Sequence, residues 1–387
     1  MVRVLEFLIS LVVVVLVFVI FSLFLPDRRG FEDSVDTNRP TRVVFDTLNG
    51  FKRFTDWNAL RMRDPHLKYE LSGAEFGPGA EFSYRSFDPQ IGSGNWKLVD
   101  SDDSGKVKKL KFELQNDAYG SNKTMRFEIE RKGRTTTIRQ RYHVDYGWNL
   151  LGRFAGMYLT RTVGDDMDLG LKSLTALFAS IPNMDYSKVD IASVQIPAQN
   201  VLYIPTTSER NISAVETAMV NQLKWLRQVM AKNELEAAGP YRLVTTNFGS
   251  DTYEFDLVQP IRKKGTGPAP VADAETDPNA NAPDANGEGV AEAPAQAAEN
   301  MAAVEPIAPE SIMLEGAVLL GRSYEGRALK ATYSGHPAGL PVVRDQLRAY
   351  AATHGEVVQD RAFEEYLQDI EQVSSEDTTF NVYWPVK

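Results

Sequence analysis

The chain opens with an apolar run from Val4 to Leu25 that carries one charge, Glu6, near its start. As a helix the run spans roughly 33 Å, enough for the hydrocarbon core of a bilayer. It ends Phe24-Leu25-Pro26-Asp27-Arg28-Arg29, without the small residues of a cleavage site. An uncleaved single-pass anchor within residues 1–30, inserted through residues 4–25, is therefore expected at the cell membrane. Arg3 lies on one side of the run and Arg28 and Arg29 on the other, which leaves the side of the soluble part open.

Beyond the anchor the pattern switches to period two. Leu110, Phe112 and Leu114 alternate with Lys109 and Lys111, and Met125, Phe127 and Ile129 with Arg126 and Glu128. Ile138, Tyr142, Val144 and Tyr146 alternate with Arg139 and Arg141, and Gln140 is the polar exception on the apolar face. Such strands predict an antiparallel sheet with one wet and one covered face. A short strand at Val35–Thr37 and a helix from Pro40 to Leu48 precede them. The cover is predicted as a helix from Phe154 to Ala179, with Val163, Met167, Leu171, Leu174 and Phe178 on one stripe. The basic residues of the wet face read as a solvated surface.

Residues 186–387 hold two copies of a strand–helix–strand–strand pattern, Trp225–Pro260 matching Tyr350–Pro385 so that Tyr241 meets Tyr366. The first helix opens on Ser213-Ala214-Val215-Glu216, a capping box, and carries Val215, Met219, Leu223, Leu226 and Met230. The second carries Leu340, Val343, Leu347 and Tyr350 and stops near Gly355. Between the copies, the composition from Gly265 to Glu310 turns to Ala, Pro, Asp, Glu, Asn and Gly, which reads as a flexible acidic spacer within a disordered insertion at 261–310. Two copies pair into one pseudo-symmetric sheet, because one alone buries too little surface. The expected class is α+β: a transmembrane helix at 1–30, a sheet-and-helix domain at 31–185 and a duplicated β-α-β-β domain at 186–387.

Composition then narrows the chemistry. A net charge of −10 argues against nucleic acid as a partner. There is no cysteine, so disulfides, thiolate nucleophiles and Cys-ligated metals are excluded. The four histidines, His66, His143, His336 and His354, lack a second ligand at metal-site spacing. No phosphate-binding loop or nucleophile elbow occurs, so no catalytic residue, metal or cofactor is assigned. Binding features are richer. Phe112, Phe127, Gln140 and Tyr142 line the space a curled sheet would enclose, and the inward Gln140 needs a partner. In Phe363-Glu364-Glu365-Tyr366, alternation sends Glu364 and Tyr366 to one face and Glu365 to the other. Glu364 beside Tyr366, with Trp384 and Trp225, is a candidate site for an organic cation. The alternative there is an exposed edge-strand glutamate.

The segment 31–182 resembles the START/polyketide-cyclase superfamily, through Val35–Asn38, Pro40, Val44-Phe45, Leu48, Asp56-Trp57-Asn58, Gly77-Pro78-Gly79 and Val163-Gly164. That resemblance implies a helix-grip cup around an apolar cavity. Segments 188–260 and 311–387 resemble the gyrase-inhibitor-like effector-binding family, through Gly239-Pro240-Tyr241, Tyr253–Pro260, Glu364-Glu365-Tyr366-Leu367 and Val382–Val386. The family places in its cleft a glutamate two residues before the tyrosine of the second repeat, and Glu364 fits that pattern. No DNA-binding helix-turn-helix accompanies the module, so transcriptional control is not implied.

Together these features predict a non-enzymatic, membrane-tethered binder of hydrophobic or cationic small molecules, with Glu364, Tyr366, Trp384, Trp225, Tyr241, Gln140, Tyr142, Phe112 and Phe127 as candidate ligand contacts. Two alternatives stand beside it. One is a cyclase-like or hydrolytic cup using His143, and the other a protein-interaction scaffold in a membrane complex.

Overall fold

The computed structural model describes residues 2–266, 305–368 and 378–387, and the chain divides into two compact units. One comprises Met1–Lys188 and Arg348–Glu356, the other Val189–Leu347 and Val357–Lys387. The class is α+β: among the described residues there are eight α-helices, a seven-stranded and a nine-stranded antiparallel sheet. Most of the insertion expected at 261–310 lies outside the described residues. Its start is later than expected, because a strand continues through Lys263.

The apolar N-terminal run is helix α1 (Val2–Phe24). Its stretch Arg3–Phe24 contains an 18-residue window of mean hydropathy 3.3 and is long and apolar enough to cross a membrane. The same length and composition suit a signal sequence.

In the first unit follow β1 (Arg28–Thr37), α2 (Thr41–Leu48), α3 (Phe54–Trp57) and α4 (Ala59–Arg63). Then come β2 (Lys68–Gly73), β3 (Ala80–Arg85), β4 (Ser93–Asp102), β5 (Val107–Asn116), β6 (Ser121–Lys132) and β7 (Thr135–Asp145). The sheet order is β1-β7-β6-β5-β4-β3-β2, a meander closed by the first strand returning beside the last. The alternation holds: Leu110, Phe112, Met125, Phe127, Ile129, Ile138, Tyr142 and Val144 are buried. On the other face Arg139 and Arg141 each pair with both Glu32 and Glu128. These basic residues are spent on local carboxylates, and such exposed pairs contribute little to stability.

The covering helix runs without a gap through residues 150–180, but it is irregular where a regular one was expected. Helix α5 (Leu150–Ala155) gives way to a 3-10 turn at Gly156–Tyr158 and a π turn at Thr160–Gly164 before α6 (Asp165–Ser180). Glycines at 152, 156 and 164 weaken a regular helix here, and each packs against an aromatic ring, that of Tyr146 or Phe31. Only α6 carries the predicted stripe in full burial, through Met167, Leu171, Leu174 and Phe178; Val163, in the π turn, is half-buried.

The second unit contains β8 (Ile191–Ile196), β9 (Asn200–Glu209), α7 (Ile212–Lys232), β10 (Leu235–Ala237), β11 (Arg242–Phe248) and β12 (Thr252–Lys263). They are followed by β13 (Leu319–Arg322), β14 (Gly326–Ser334), α8 (Leu340–Thr353, of which the residues from Arg348 on belong to the first unit), β15 (Phe363–Tyr366) and β16 (Thr379–Pro385). The order is β13-β9-β12-β11-β15-β16-β14-β8, with β10 beside β12. Helix α7 begins slightly earlier than its expected capping box. Asn211 is the cap, its side chain accepting from the Ala214 amide at 2.8 Å. Asn at this position satisfies an otherwise orphaned helix N–H as well as Ser does.

Phe127 is almost wholly buried, with its ring edge-on to Phe112 and Trp57 at 5.9 and 6.0 Å. Phe127→Ala is expected to cost about 3–5 kcal/mol, read as a lowered denaturation midpoint of the first unit.

Candidate functional site

Strand β15 lies in the interior of the nine-stranded sheet, hydrogen-bonded to β11 through Arg242↔Glu365 and to β16 through Glu364↔Val382. A strand flanked on both sides has no exposed edge, so the alternative of an exposed edge-strand glutamate does not hold. Glu364 is completely buried and Glu365 nearly so. Two adjacent carboxylates thus enter opposite faces of one sheet, and each needs a cation.

Each has one. Glu364 Oε1 accepts from Arg344 Nε at 2.5 Å, from helix α8. Arg344 Nη2 donates to the Tyr253 hydroxyl at 3.1 Å, and that hydroxyl is 2.9 Å from Thr245 Oγ1. Glu364 Oε2 has no hydrogen-bond partner among the described residues. On the other face, Glu365 Oε1 accepts from Arg242 Nε at 3.0 Å, and Oε2 from the Tyr383 hydroxyl at 2.9 Å. Arg242 also reaches Gln199 Oε1 at 2.7 Å.

The two faces carry different spaces. Above Glu364, a cavity of about 760 Å³ opens between the first turns of α7 and α8. Its walls are apolar, from Val215, Val220, Leu340 and Pro341, and its sheet side is aromatic, from Phe248, Tyr253 and Tyr366. Arg344, Arg210 and Glu216 supply its charge. The Arg210 guanidinium stands 4.3 Å from the Phe248 ring centre, and that of Arg344 5.8 Å from both Phe248 and Tyr253. On the Glu365 face, a smaller cleft of about 330 Å³ runs beside Arg242, Val244, Tyr324 and Arg361.

Burial lowers the Arg344 pKa, but Glu364 and Tyr253 more than reverse this, so the guanidinium stays charged. Burial first, and then the Glu364 charge, push Tyr253 up to about 12. Tyr366 is raised well above its ordinary value by the same two causes.

The predicted site residues separate into three groups. Tyr366 lines the larger cavity and stacks on Tyr241 at 5.3 Å, while Glu364 sits behind Arg344. Trp225, half-exposed on α7, and Trp384, half-buried on β16, are not among the residues lining that cavity. In the first unit, Phe112 and Phe127 belong to a packed aromatic array with Phe51, Phe54, Trp57, Phe82 and Trp96. Gln140, almost fully buried, donates to the Met125 sulfur at 3.2 Å, and its Oε1 lacks a partner among the described residues. Tyr142 is buried beside them, which raises its pKa. His143 points to the wet face, 3.0 Å from Asp145, and so away from the interior an enzyme would use.

Arg344, Arg210 and Phe248 were not foreseen. Arg344 sits within the α8 stripe, four positions after Leu340 and one after Val343. A basic residue at that phase is the one signal in the sequence that could have pointed to a buried acidic partner.

No family model matches the chain, and no curated protein matches it. Among solved structures it is similar to the EcmrR C-terminal domain, at 11% identity over 52% of this chain and 98% of that one, with a TM-score of 0.34. A hydrolase from Listeria innocua is similar at 13% identity, over 51% and 92% of the two chains, with a TM-score of 0.31. Norcoclaurine synthase from Thalictrum flavum is similar at 11% identity, over 40% and 97%, also at 0.31.

Removing one partner of the buried pair strands a charge. Arg344→Gln or Glu364→Gln alone is expected to cost about 3–5 kcal/mol, and the double substitution clearly less than their sum. A double-mutant cycle in urea reads this directly. Tyr253 gives a second test. Unfolded tyrosine loses its proton near pH 10, whereas folded Tyr253 holds it to about 12, so its contribution is full below pH 10 and is lost as pH rises through about 12. Tyr253→Phe should flatten that alkaline loss in denaturation midpoints measured across the range.

Proposed function

We propose that this chain is a membrane-tethered, non-enzymatic binder of amphipathic small molecules, with the second unit's large cavity as the capture site. The single observation carrying this reading is the roughly 760 Å³ space with aliphatic walls, aromatic floor and one nearly buried guanidinium. Its volume falls within the range typical of small-molecule sites, and its few polar groups would set orientation. Apolar burial supplies affinity; Arg344 and Tyr253 select the polar end.

The duplicated fold and its effector-binding resemblance belong to the same proposal. Each copy consists of a first strand, a helix and two more strands: β9, α7, β11, β12 and β14, α8, β15, β16. In the sheet they stand as first-third-second followed by second-third-first. That palindrome supports a pseudo-two-fold pair, and the cavity opens between the first turns of the two helices. The helix-grip reading of the first unit is supported by the order of its elements.

The proposed anchor rests on the length and apolar composition of α1, and in the full chain α1 is in contact with the folded unit. Arg153 Nη1 donates to the carbonyl oxygens of Leu23 and Leu25 at 3.2 and 3.3 Å, and Phe154 meets Phe18 at 5.5 Å.

The pair with Arg344 changes which head group the site would favour. A cationic ligand reaching Glu364 would have to displace Arg344 and leave a buried charge unpaired. An anionic head group can instead take a charge-assisted hydrogen bond from Arg344, whose Nη1 has no partner among the described residues. Calorimetric titration of the full chain in lipid nanodiscs, with empty nanodiscs subtracted, tests this. Octanoate should bind about tenfold more tightly than octylammonium, with octanol between them. The Arg344→Gln/Glu364→Gln double variant should lose the difference. Tighter octylammonium would overturn the charge preference; absence of binding by all three would overturn the capture site.

A further inference from the structure

The segment that follows β7 has its polarity reversed. Its inward positions are Gly152, Gly156, Leu159 and Gly164. A Cβ at Gly152 or Gly156 would lie 2.9 or 2.6 Å from the Tyr146 ring, and one at Gly164 would lie 3.1 Å from Phe31. The bulky apolar residues face out instead: Trp148, Leu151, Met157 and Tyr158 are 84, 57, 44 and 50% exposed, and Phe154 lies beside them. A helix on a water-facing surface shows the opposite arrangement, with large apolar residues turned to the core.

This outward face is continuous with α1. Phe18 of α1, Phe154 and Tyr158 form a chain of rings at 5.5 and 6.2 Å. Arg153 ties the segment to the end of α1 through the Leu23 and Leu25 carbonyls, and its Nε bonds Gly147 O at 2.7 Å. Phe18 lies six residues before Phe24, about 9 Å along the helix axis. If α1 spans a bilayer, Phe154 therefore sits at the depth of roughly 5–10 Å that interfacial helices reach. Trp148, Tyr158, Arg153 and Arg161 are residue types that settle at head-group level.

We infer that Trp148–Tyr158 is a second membrane contact, an interfacial element lying in the head-group and acyl boundary on the side where α1 joins the folded chain. The inference rests on the proposed anchor. Its occupant is the lipid bilayer, because the exposed face runs without interruption into the apolar surface of α1. The glycines let the element lie close against Tyr146 and Phe31 while its large side chains enter lipid. The first unit is thereby held to the membrane at two points, which removes its freedom to swing about the α1 junction.

The absence of cysteine makes a clean test. Single cysteines at Leu151→Cys, Met157→Cys, Val13→Cys and Arg134→Cys, each in the full chain, are labelled with an environment-sensitive fluorophore. The chain is reconstituted into phosphatidylcholine/phosphatidylglycerol liposomes with nitroxide lipids. Position 134, in the hairpin between β6 and β7, lies at the far end of β7 from the segment. Labels at 151 and 157 should show blue-shifted emission and lose most of their intensity to shallow nitroxides, while 134 remains as in water. Quenching at 13 with water-like emission at 151 and 157 overturns the inference and leaves the anchor standing. A blue shift at 151 and 157 without lipid quenching points to a protein occupant and also overturns it. Failure to quench at 13 overturns the anchor and the inference together.

Discussion

A carboxylate enclosed in the middle of a sheet cannot remain ionised alone, and Glu364 meets that constraint through Arg344. Much in the second unit depends on this pairing. It joins the start of α8 to the centre of the sheet, directs the guanidinium to the cavity, and draws the Tyr253 hydroxyl into the same network. The neighbouring Glu365 solves the same problem on the opposite face with Arg242 and Tyr383. Two consecutive acids, each matched by an arginine from a different element, fix the register of β15 against β11 and α8. A shift by one residue would exchange the two carboxylates and strand both.

The same pairing alters the chemistry that the site offers. A buried glutamate beside stacked tyrosines suggests a cation receptor, because ring faces and a carboxylate attract positive charge. Once Arg344 occupies that carboxylate, the charge presented to the cavity is a guanidinium. Phe248 lies close to two guanidinium groups, so the cation–π contacts are already made within the protein. The proposed capture site therefore keeps the aromatic floor that the repeat pattern suggested, with the sign of its polar end reversed.

The first unit uses its apolar residues in two ways. The sheet interior holds an aromatic array in which Phe51 from the turn before α3, with Phe54 and Trp57 from α3, meets Phe82, Trp96, Phe112 and Phe127 from the strands. The segment after β7 turns its apolar residues outward, beside α1. Periodicity gave no warning of this, because a stripe of large apolar residues looks the same whether it faces a core or a bilayer. Glycines on the opposite side distinguish the two cases, and only once their neighbours are known.

Local and periodic properties were legible in the chain alone. The apolar N-terminal helix, the alternation through Phe112, Phe127 and Tyr142 and the stripe of Met167–Phe178 follow from side-chain spacing, which acts over a few residues. Alternation also placed Glu364 with Tyr366 and opposite Glu365. What spacing does not carry is the identity of a partner from a distant element. That Arg344 neutralises Glu364, that Trp225 and Trp384 are not among the residues lining the large cavity, that His143 faces solvent and that the expected helix changes its winding around its glycines were settled by tertiary packing. The physical reason is that burial and charge pairing are properties of a whole neighbourhood, assembled from segments that the linear order keeps apart.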